Sequence, residues 1–156
     1  MTDKQIKSIA EKKYRRYLKY VDKKIGHSNT TYSSELEKIC LEEFGSKFRG
    51  IFPSDQIPVL TDKRPYCIVN LDNSKQQGSH WVGVAKIPHR KEVMFYDSFG
   101  RNSKQILPSL KRSNNGEIKD TEDDIEQDML ENNCGNRSVS ILLVFDKHGW
   151  EYAKWI

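Results

Sequence analysis

Apolar residues recur along this chain at two different spacings, which divide it into a helical first part and a sheet-like middle. Across residues 3–25 they follow one another at intervals of three and four, at Ile6, Ala10, Tyr14, Tyr17 and Val21. One such stripe predicts an amphipathic helix, which Gly26 would end. A polar loop follows, after which Ser33 or Ser34 could cap a second helix that stops at Gly45. The inward positions of that helix are Leu36, Ile39, Cys40 and Phe44.

Continuous apolar runs take over in the middle of the chain. The runs at 66–71, 81–87 and 93–96 predict three short strands of a sheet that is covered on both faces. The link at 88–90 is short enough to make the second and third strands a hairpin. The preceding segment, 47–65, holds three prolines and a glycine, and we interpret it as an irregular surface segment.

The second half predicts a helix at 103–112, weakened or kinked by Pro108, a loop at 113–117, and a short edge strand at 125–129. The dense apolar run at 139–145 follows Asn-Asn-Cys-Gly, which indicates an Asn-capped, buried central helix with Cys134 in its first turn. A last short helix would pack through Trp150, Tyr152 or Trp155.

Together these elements predict an α+β fold, with a central mixed sheet and a buried helix that carries Cys134. At 156 residues the chain fits one domain, 1–156. Within it we distinguish a helical part (1–47), a core (48–145) and a C-terminal helix (146–156). No apolar run reaches the length of about 18 residues that a membrane span requires, so we expect no membrane contact.

Charge is unevenly distributed along the sequence. Residues 1–26 hold nine Lys and Arg against three acidic residues, whereas 117–128 are rich in Asp and Glu. A basic helix face can attract phosphate backbones, so DNA is one partner to consider. A solvated helix face, balanced by the acidic segment, is the plainer interpretation.

The cysteines indicate the compartment. Cys40, Cys67 and Cys134 are odd in number and irregularly spaced, which fits neither a disulfide framework nor a metal site. The first residues also lack the apolar stretch of a secretory signal. We therefore expect a reducing, intracellular location without secretion.

Cys134 is the candidate nucleophile. A helix N-terminus directs N–H groups at a cysteine in its first turn, which lowers the pKa of the thiol and can hold an oxyanion. Gly135 would let a substrate backbone approach closely. Taken alone, a Cys-Gly pair before an apolar helix is more often a core feature.

His80 is the candidate base, because it stands at the start of a strand, a rigid mounting beside a cleft. Trp81 could stack on its imidazolium, although a core aromatic is the plainer interpretation. The hairpin also predicts a carboxylate partner: if its centre lies between Pro88 and His89, Asp97 falls beside His80 at the same end. The other histidines lie in polar or turn segments.

A family resemblance joins these residues. The motifs GSHW and YDSFG, and a Gln seven residues before NCG, resemble the adenain-type cysteine proteases and the related proteases that remove ubiquitin-like modifiers. The segments FRGIF and YCIVN are also similar to what precedes the His in adenain-like enzymes, so the resemblance spans residues 48–145. It implies a papain-like superfamily fold with the catalytic order His, Asp or Glu, Gln, Cys.

The resemblance implies a role for each matching residue. His80 would be the general base, Asp97 its orienting carboxylate and Cys134 the nucleophile. Gln127 would join the backbone N–H of Cys134 in the oxyanion hole. Trp81 matches the aromatic residue that follows the His, with Gly135 as further support for substrate. No metal and no cofactor is needed for this chemistry, although DNA or a peptide could activate the enzyme.

The sequence also departs from adenain. Adenain has Glu where this chain has Asp97, whereas the proteases for ubiquitin-like modifiers have Asp. Asn136 is polar where the family has an apolar or bulky residue, which could change the S1′ neighbourhood. The segment after Cys134 is shorter than adenain's helical tail, so its peptide cofactor need not apply.

Three functions remain open at this point. The first is a viral maturation protease that cleaves capsid or virion precursors after small residues such as Gly, acting in the virion and the host cell interior. The second is a protease that removes ubiquitin-like modifiers. The third is an inactive module that binds nucleic acid through its basic helix, which the complete His-Asp-Gln-Cys set disfavours.

Overall fold

The secondary structure is taken from a computed structural model of the protein, which describes residues 1–72, 75, 80–122, 125–127 and 132–156. The helices are α1 (Asp3–Ile25), α2 (Ser33–Phe44), α3 (Ser103–Ile106), α4 (Ser109–Asn114), α5 (Cys134–His148) and α6 (Trp150–Ala153), with a 3-10 turn at Gly45–Lys47. The strands are β1 (Phe48–Pro53), β2 (Tyr66–Asn70), β3 (Trp81–Lys86), β4 (Val93–Tyr96) and β5 (Ile118–Asp120).

The first two helices follow the predicted bounds closely. Thr2 caps α1 in a capping box with Gln5, and Gly26 ends it with a left-handed φ of 96°. The helix α2 begins at Ser33, but its cap position is Tyr32, whose backbone N–H donates to Glu35 Oε1. The buried positions of α2 are those predicted: Leu36, Ile39, Cys40 and Phe44.

One mixed sheet holds the described strands together, in the order β1-β2-β3-β4-β5. The central pairs β2–β3 and β3–β4 are antiparallel, and the outer pairs β1–β2 and β4–β5 are parallel. The six helices of the described residues pack around or beside this sheet, so the predicted α+β class is confirmed.

Alternate residues of the central strands enter two separate cores. On one face the strands pack against α1, α2, α5 and α6, and they contribute Tyr66, Ile68, Ala85, Met94 and Tyr96. On the other face they pack against α3, α4 and the segment before β2, and they contribute Cys67, Val69, Val82, Val84, Val93 and Phe95. Coverage of both faces explains why these strands are apolar throughout rather than alternating.

Two predictions about the sheet were wrong at its edges. The segment 47–65 contains β1, which we had interpreted as irregular. Gly50 has a φ of 135° where the register of β1 shifts, and Pro53 ends the strand. Because β1 is an edge strand of the sheet, it can contain both a glycine and a proline. The other outer strand is β5, whereas 125–127 form no strand and 128–129 lie outside the described residues.

The predicted helix at 103–112 is two short helices, α3 and α4, because Pro108 interrupts it. The C-terminal segment also divides differently from the prediction. The helix α5 continues to His148, and Gly149 separates it from α6. Trp150, Tyr152 and Trp155 pack against the core as expected, while Ala153 and Ile156 are fully buried.

The hairpin of β3 and β4 is centred one residue later than predicted. The pairs Gly83–Tyr96 and Lys86–Val93 place its centre between His89 and Arg90. Continued past the strand ends, this register brings Phe99 level with His80. Asp97 lies two residues earlier, which keeps it on the same side of the hairpin because side chains alternate along a strand.

Gly83 sets the distance between β3 and the buried helix α5. A Cβ at this position would stand 3.0 Å from Ile141 Cγ2 and 3.3 Å from the carbonyl oxygen of Ser138. Both contacts are tighter than a packed interior normally allows. The first half of α5 therefore packs directly against the backbone of β3.

We expect Gly83→Ala to destabilise the protein by about 1–3 kcal/mol, because the methyl group overpacks the contact between β3 and α5. Urea unfolding measures the change. Ser8→Ala on the exposed face of α1 is the control and should change the free energy of unfolding by less than about 0.5 kcal/mol. A Gly83→Ala protein as stable as the wild type would contradict the close packing.

Candidate active site

Cys134 is the first residue of α5, and its side chain lies where that helix meets the start of β3. The residue is 8% exposed. The backbone N–H of Trp81 donates to its sulfur at 3.4 Å. Burial raises the pKa of the Cys134 thiol, but hydrogen bonding to His80, the charge of that imidazole and the backbone N–H of Trp81 outweigh burial. The net pKa is lowered, which favours a thiolate.

His80 connects Cys134 to a buried carboxylate. Its Nε2 lies 2.6 Å from Asp97 Oδ1, and Cys134 interacts with the same imidazole. Burial lowers the pKa of His80, yet the hydrogen bonds to Asp97 and Cys134 and their negative charges raise it to about 9. A raised pKa at His80 beside a lowered pKa at Cys134 favours the ion pair of imidazolium and thiolate.

Asp97 follows β4, and its side chain is fully buried. Arg101 binds it three times: the backbone N–H and Nε donate to Oδ2 at 3.0 and 2.8 Å, and Nη2 donates to Oδ1 at 3.3 Å. Burial raises the pKa of Asp97, but the hydrogen bonds to His80 and Arg101 lower it to about 2. Both carboxylate oxygens are therefore engaged, and the group stays ionised.

The aromatic ring that stacks on His80 is Phe99, not Trp81 as the sequence had suggested. The two ring centroids are 5.0 Å apart with 29° between the planes. The guanidinium of Arg101 lies over the ring of Phe99, 5.2 Å from its centroid. Sequence reasoning missed Phe99 and Arg101, although both stand within four residues of Asp97 in the motif YDSFGR.

Trp81 supports the site in a different way. Its indole N–H donates to the carbonyl oxygen of Thr31 at 3.1 Å, while its backbone N–H points at the sulfur of Cys134. The side chain packs against the core on the α5 side of the sheet. Trp81 thus connects the loop before α2 to the nucleophile.

Gln127 is 2% exposed and is held by the residue that follows Asp97. The hydroxyl of Ser98 donates to Gln127 Oε1 at 2.5 Å, and the backbone N–H of Gln127 donates to the carbonyl oxygen of Ser98 at 3.0 Å. In this arrangement Oε1 of the amide is the acceptor. The motif YDSFG therefore positions both the carboxylate and the glutamine.

Gly135 faces the protein's own loop. A Cβ here would lie 3.0 Å from Thr31 Cβ and 3.1 Å from Leu36 Cδ2, so close packing favours a glycine. An approach of substrate to Gly135 stays a prediction.

Asn136 is fully buried, and its polarity is explained by three hydrogen bonds. Its Oδ1 accepts from Thr31 Oγ1 at 2.5 Å, and its Nδ2 donates to Asp22 Oδ1 at 2.6 Å and to the carbonyl oxygen of His27 at 3.0 Å. These contacts fasten the start of α5 to the end of α1 and to the loop that follows. An effect of Asn136 on the S1′ neighbourhood remains untested.

The acidic segment and the basic helix meet at one described ion pair. Lys7 Nζ lies 2.5 Å from Glu122 Oε2. The acidic residues Asp123, Asp124 and Asp128 lie outside the described part of the chain. Contact with DNA therefore remains a prediction.

Among the described residues, no group of three or more His, Cys, Asp and Glu side chains could hold a metal ion. None of the helices in the described ranges has the length and apolar character that crossing a bilayer requires. Comparison with models of known protein families gives no match, and comparison with curated proteins gives no significant match.

We expect iodoacetamide at about pH 7 to alkylate Cys134 at least about a hundredfold faster than Cys40 or Cys67. Burial raises the pKa of Cys67 to about 12 and that of Cys40 well above its ordinary value, and both residues are fully buried. His80→Gln should slow the labelling of Cys134 at neutral pH but much less at high pH, where any exposed thiol ionises. Mass analysis of the labelled peptides measures each rate.

His89→Gln is the matched control for that experiment, because the His89 side chain is 92% exposed. It should leave the labelling rate of Cys134 unchanged. Similar labelling rates for all three cysteines in the native protein would contradict the ion pair.

Asp97 should also make stability depend on pH. Because its folded pKa is lowered from 3.8 to about 2, the stabilisation is present above pH 3.8 and is lost as the pH falls towards 2. We expect Asp97→Asn to be less stable than the wild type by about 2 kcal/mol near neutral pH, and this difference should shrink across that window. Urea unfolding of both proteins at several pH values measures it, and a difference that is constant with pH would be the contrary result.

Proposed function

We propose that this protein is a cysteine endopeptidase of the adenain type, within the papain-like superfamily. The observation that carries the proposal is the contact of His80 with both Asp97 and Cys134, in which His80 has a raised pKa and Cys134 a lowered one. A core cysteine without a chemical role has no need of this arrangement. Burial alone would keep it neutral, as it does Cys67.

In the proposed reaction the thiolate of Cys134 attacks the carbonyl carbon of a peptide bond. The imidazolium of His80 gives its proton to the departing amine, which leaves a thioester on Cys134. Water then attacks the thioester, His80 accepts a proton from that water, and the thiolate is released together with the carboxylic acid. Asp97 remains ionised throughout and stabilises the cationic form of His80.

The oxyanion of each tetrahedral intermediate would be bound by the Gln127 amide and the backbone N–H of Cys134. Two features support this role for Gln127. Its side chain is buried beside the catalytic motif, and Ser98 binds its Oε1, so the NH₂ end is the donor. The order His80, Asp97, Gln127, Cys134 is also the order of the family that the sequence resembles.

We propose capsid or other virion precursors as substrates, cleaved after small residues such as Gly, in the virion and the host cell interior. DNA bound by the basic face of α1 could concentrate the enzyme near packaged substrate. The nine basic residues among positions 1–26 support that partner.

A second candidate is the removal of ubiquitin-like modifiers. One residue favours it, because Asp97 matches the Asp of those proteases, whereas adenain carries Glu. Either carboxylate can orient the imidazole, so the same chemistry serves both substrates.

The test is incubation of the wild type and Cys134→Ala with two panels, capsid precursors and ubiquitin-like modifier precursors, followed by mass analysis of the fragments. We expect wild-type cleavage of the capsid precursors and none by Cys134→Ala. Gln127→Ala should lower kcat by about 10²–10³ with little effect on KM, because the lost interaction forms in the transition state.

His89→Gln serves as the control and should cleave at the wild-type rate, since its side chain is exposed. Cleavage of the modifiers alone would replace the maturation role with the second candidate. Fragments that also form with Cys134→Ala would overturn the proposed peptidase.

A further inference from the structure

Arg101 follows β4 and is brought back to the end of that strand by a tight turn. The N–H of Gly100 donates to the carbonyl oxygen of Asp97 at 2.9 Å, and Gly100 has a left-handed φ of 73°. A glycine adopts this conformation without the strain that a side chain would cause. The turn therefore places Arg101 beside the residue at which the turn begins, Asp97.

Three donors of Arg101 meet the carboxylate of Asp97. The backbone N–H and Nε share Oδ2, at 3.0 and 2.8 Å, and Nη2 reaches Oδ1 at 3.3 Å. Oδ1 is also the atom that lies 2.6 Å from Nε2 of His80. Because the planar guanidinium binds both oxygens, the carboxylate cannot turn without losing one of these contacts.

The same guanidinium also packs on the aromatic neighbour of His80. It lies 5.2 Å from the centroid of Phe99, and the Phe99 ring stacks on the imidazole with 5.0 Å between centroids. A cation over the face of an aromatic ring is attracted to it. Arg101 therefore contacts two partners of His80, the carboxylate at its Nε2 and the ring against its face.

Positive charge alone does not distinguish arginine from lysine at this position. The Arg101 side chain is 42% exposed, so solvent screens its charge, whereas the Asp97 side chain is fully buried. A lysine would supply the same charge as a single point, without the fork that binds both carboxylate oxygens. The contacts that only arginine can make are the ones that fix the orientation of Asp97.

We propose that Arg101 is a positioning residue that holds the carboxylate of Asp97 in the orientation that presents Oδ1 to Nε2 of His80. It acts through Asp97 and touches no reacting atom. Among the described residues, Asp97 after β4 and Cys134 of α5 act on His80, while His80 and Arg101 act on Asp97. The inference rests on the proposed function, because the orientation of His80 matters only if His80 serves Cys134.

The test measures the rate at which iodoacetamide alkylates Cys134, as a function of pH, in the wild type, Arg101→Met and Arg101→Lys. Met removes the charge and the side-chain donors, whereas Lys keeps the charge without the fork. We expect Arg101→Met to react about fivefold more slowly at neutral pH, with the midpoint of its pH profile moved upwards, because a poorly oriented imidazolium stabilises less thiolate. Arg101→Lys should stay at least about threefold slower than the wild type.

A second comparison asks whether Arg101 acts through Asp97. In the Asp97→Asn background, Arg101→Met should change the rate by less than about twofold, because the carboxylate that it orients is already gone. Arg112→Met, on the exposed surface of α4, is the matched control and should react at the wild-type rate. Urea unfolding of each variant separates a structural role, which would lower stability and leave the pH midpoint of the folded protein unchanged.

A wild-type rate in Arg101→Lys would overturn the inference, because charge would then suffice, and so would an Arg101→Met protein that reacts as fast as the wild type. A further fivefold loss in the double variant would overturn it as well, since Arg101 would then act elsewhere. If Asp97→Asn fails to fold, the comparison of Met with Lys decides. Alkylation needs no substrate, so failure to cleave any precursor would refute the peptidase alone, whereas wild-type rates in both Arg101 variants would refute the positioning role alone.

Discussion

The close contact between β3 and α5 at Gly83 is the constraint on which the site depends. With no side chain at Gly83, the backbone of Ser138 reaches the strand, and the Ser138 hydroxyl lies within hydrogen-bond distance of the carbonyl oxygens of Trp81 and Cys134. The first turn of α5 is thereby fixed beside the start of β3. The N–H of Trp81 then points at the sulfur, and His80, one residue earlier, reaches the same atom.

Charge runs through the site in alternating sign, from Arg101 through Asp97 and His80 to Cys134. Buried charges are tolerated when each is paired and hydrogen-bonded, and here every member has an oppositely charged neighbour. The series begins at Arg101, whose side chain is 42% exposed, and ends at a thiol that is nearly buried. Arg101 therefore keeps the fully buried carboxylate of Asp97 ionised, and that carboxylate stabilises the imidazolium of His80.

Local periodicity predicted most of the helices and the central strands, because burial on a helix stripe or within a covered sheet leaves a regular pattern. The same reasoning brought His80 beside Asp97, although the hairpin register was off by one residue. Prediction from periodicity failed for the segments whose structure is determined by tertiary contacts. The edge strand β1 contains a glycine and a proline, and β5 is short and polar, so neither carries a strand pattern. Phe99 contacts His80 and Arg101 contacts Asp97 because of the conformation of the turn after β4. The spacing of residues in the sequence does not encode that conformation.

The polar residues at the start of α5 look out of place in a buried helix, and their contacts explain them. Asn136 binds Thr31 and Asp22, while Asn133 binds Arg137, so both amide side chains have side-chain partners. An ordinary helix would use such groups to cap its own N–H donors. Here the sulfur of Cys134 accepts from the backbone N–H of Trp81 beside that turn. The two amides are therefore bound by Asp22 of α1, by Thr31 of the loop and by Arg137 of α5 itself, and among the described residues no side chain caps the first turn beside Cys134.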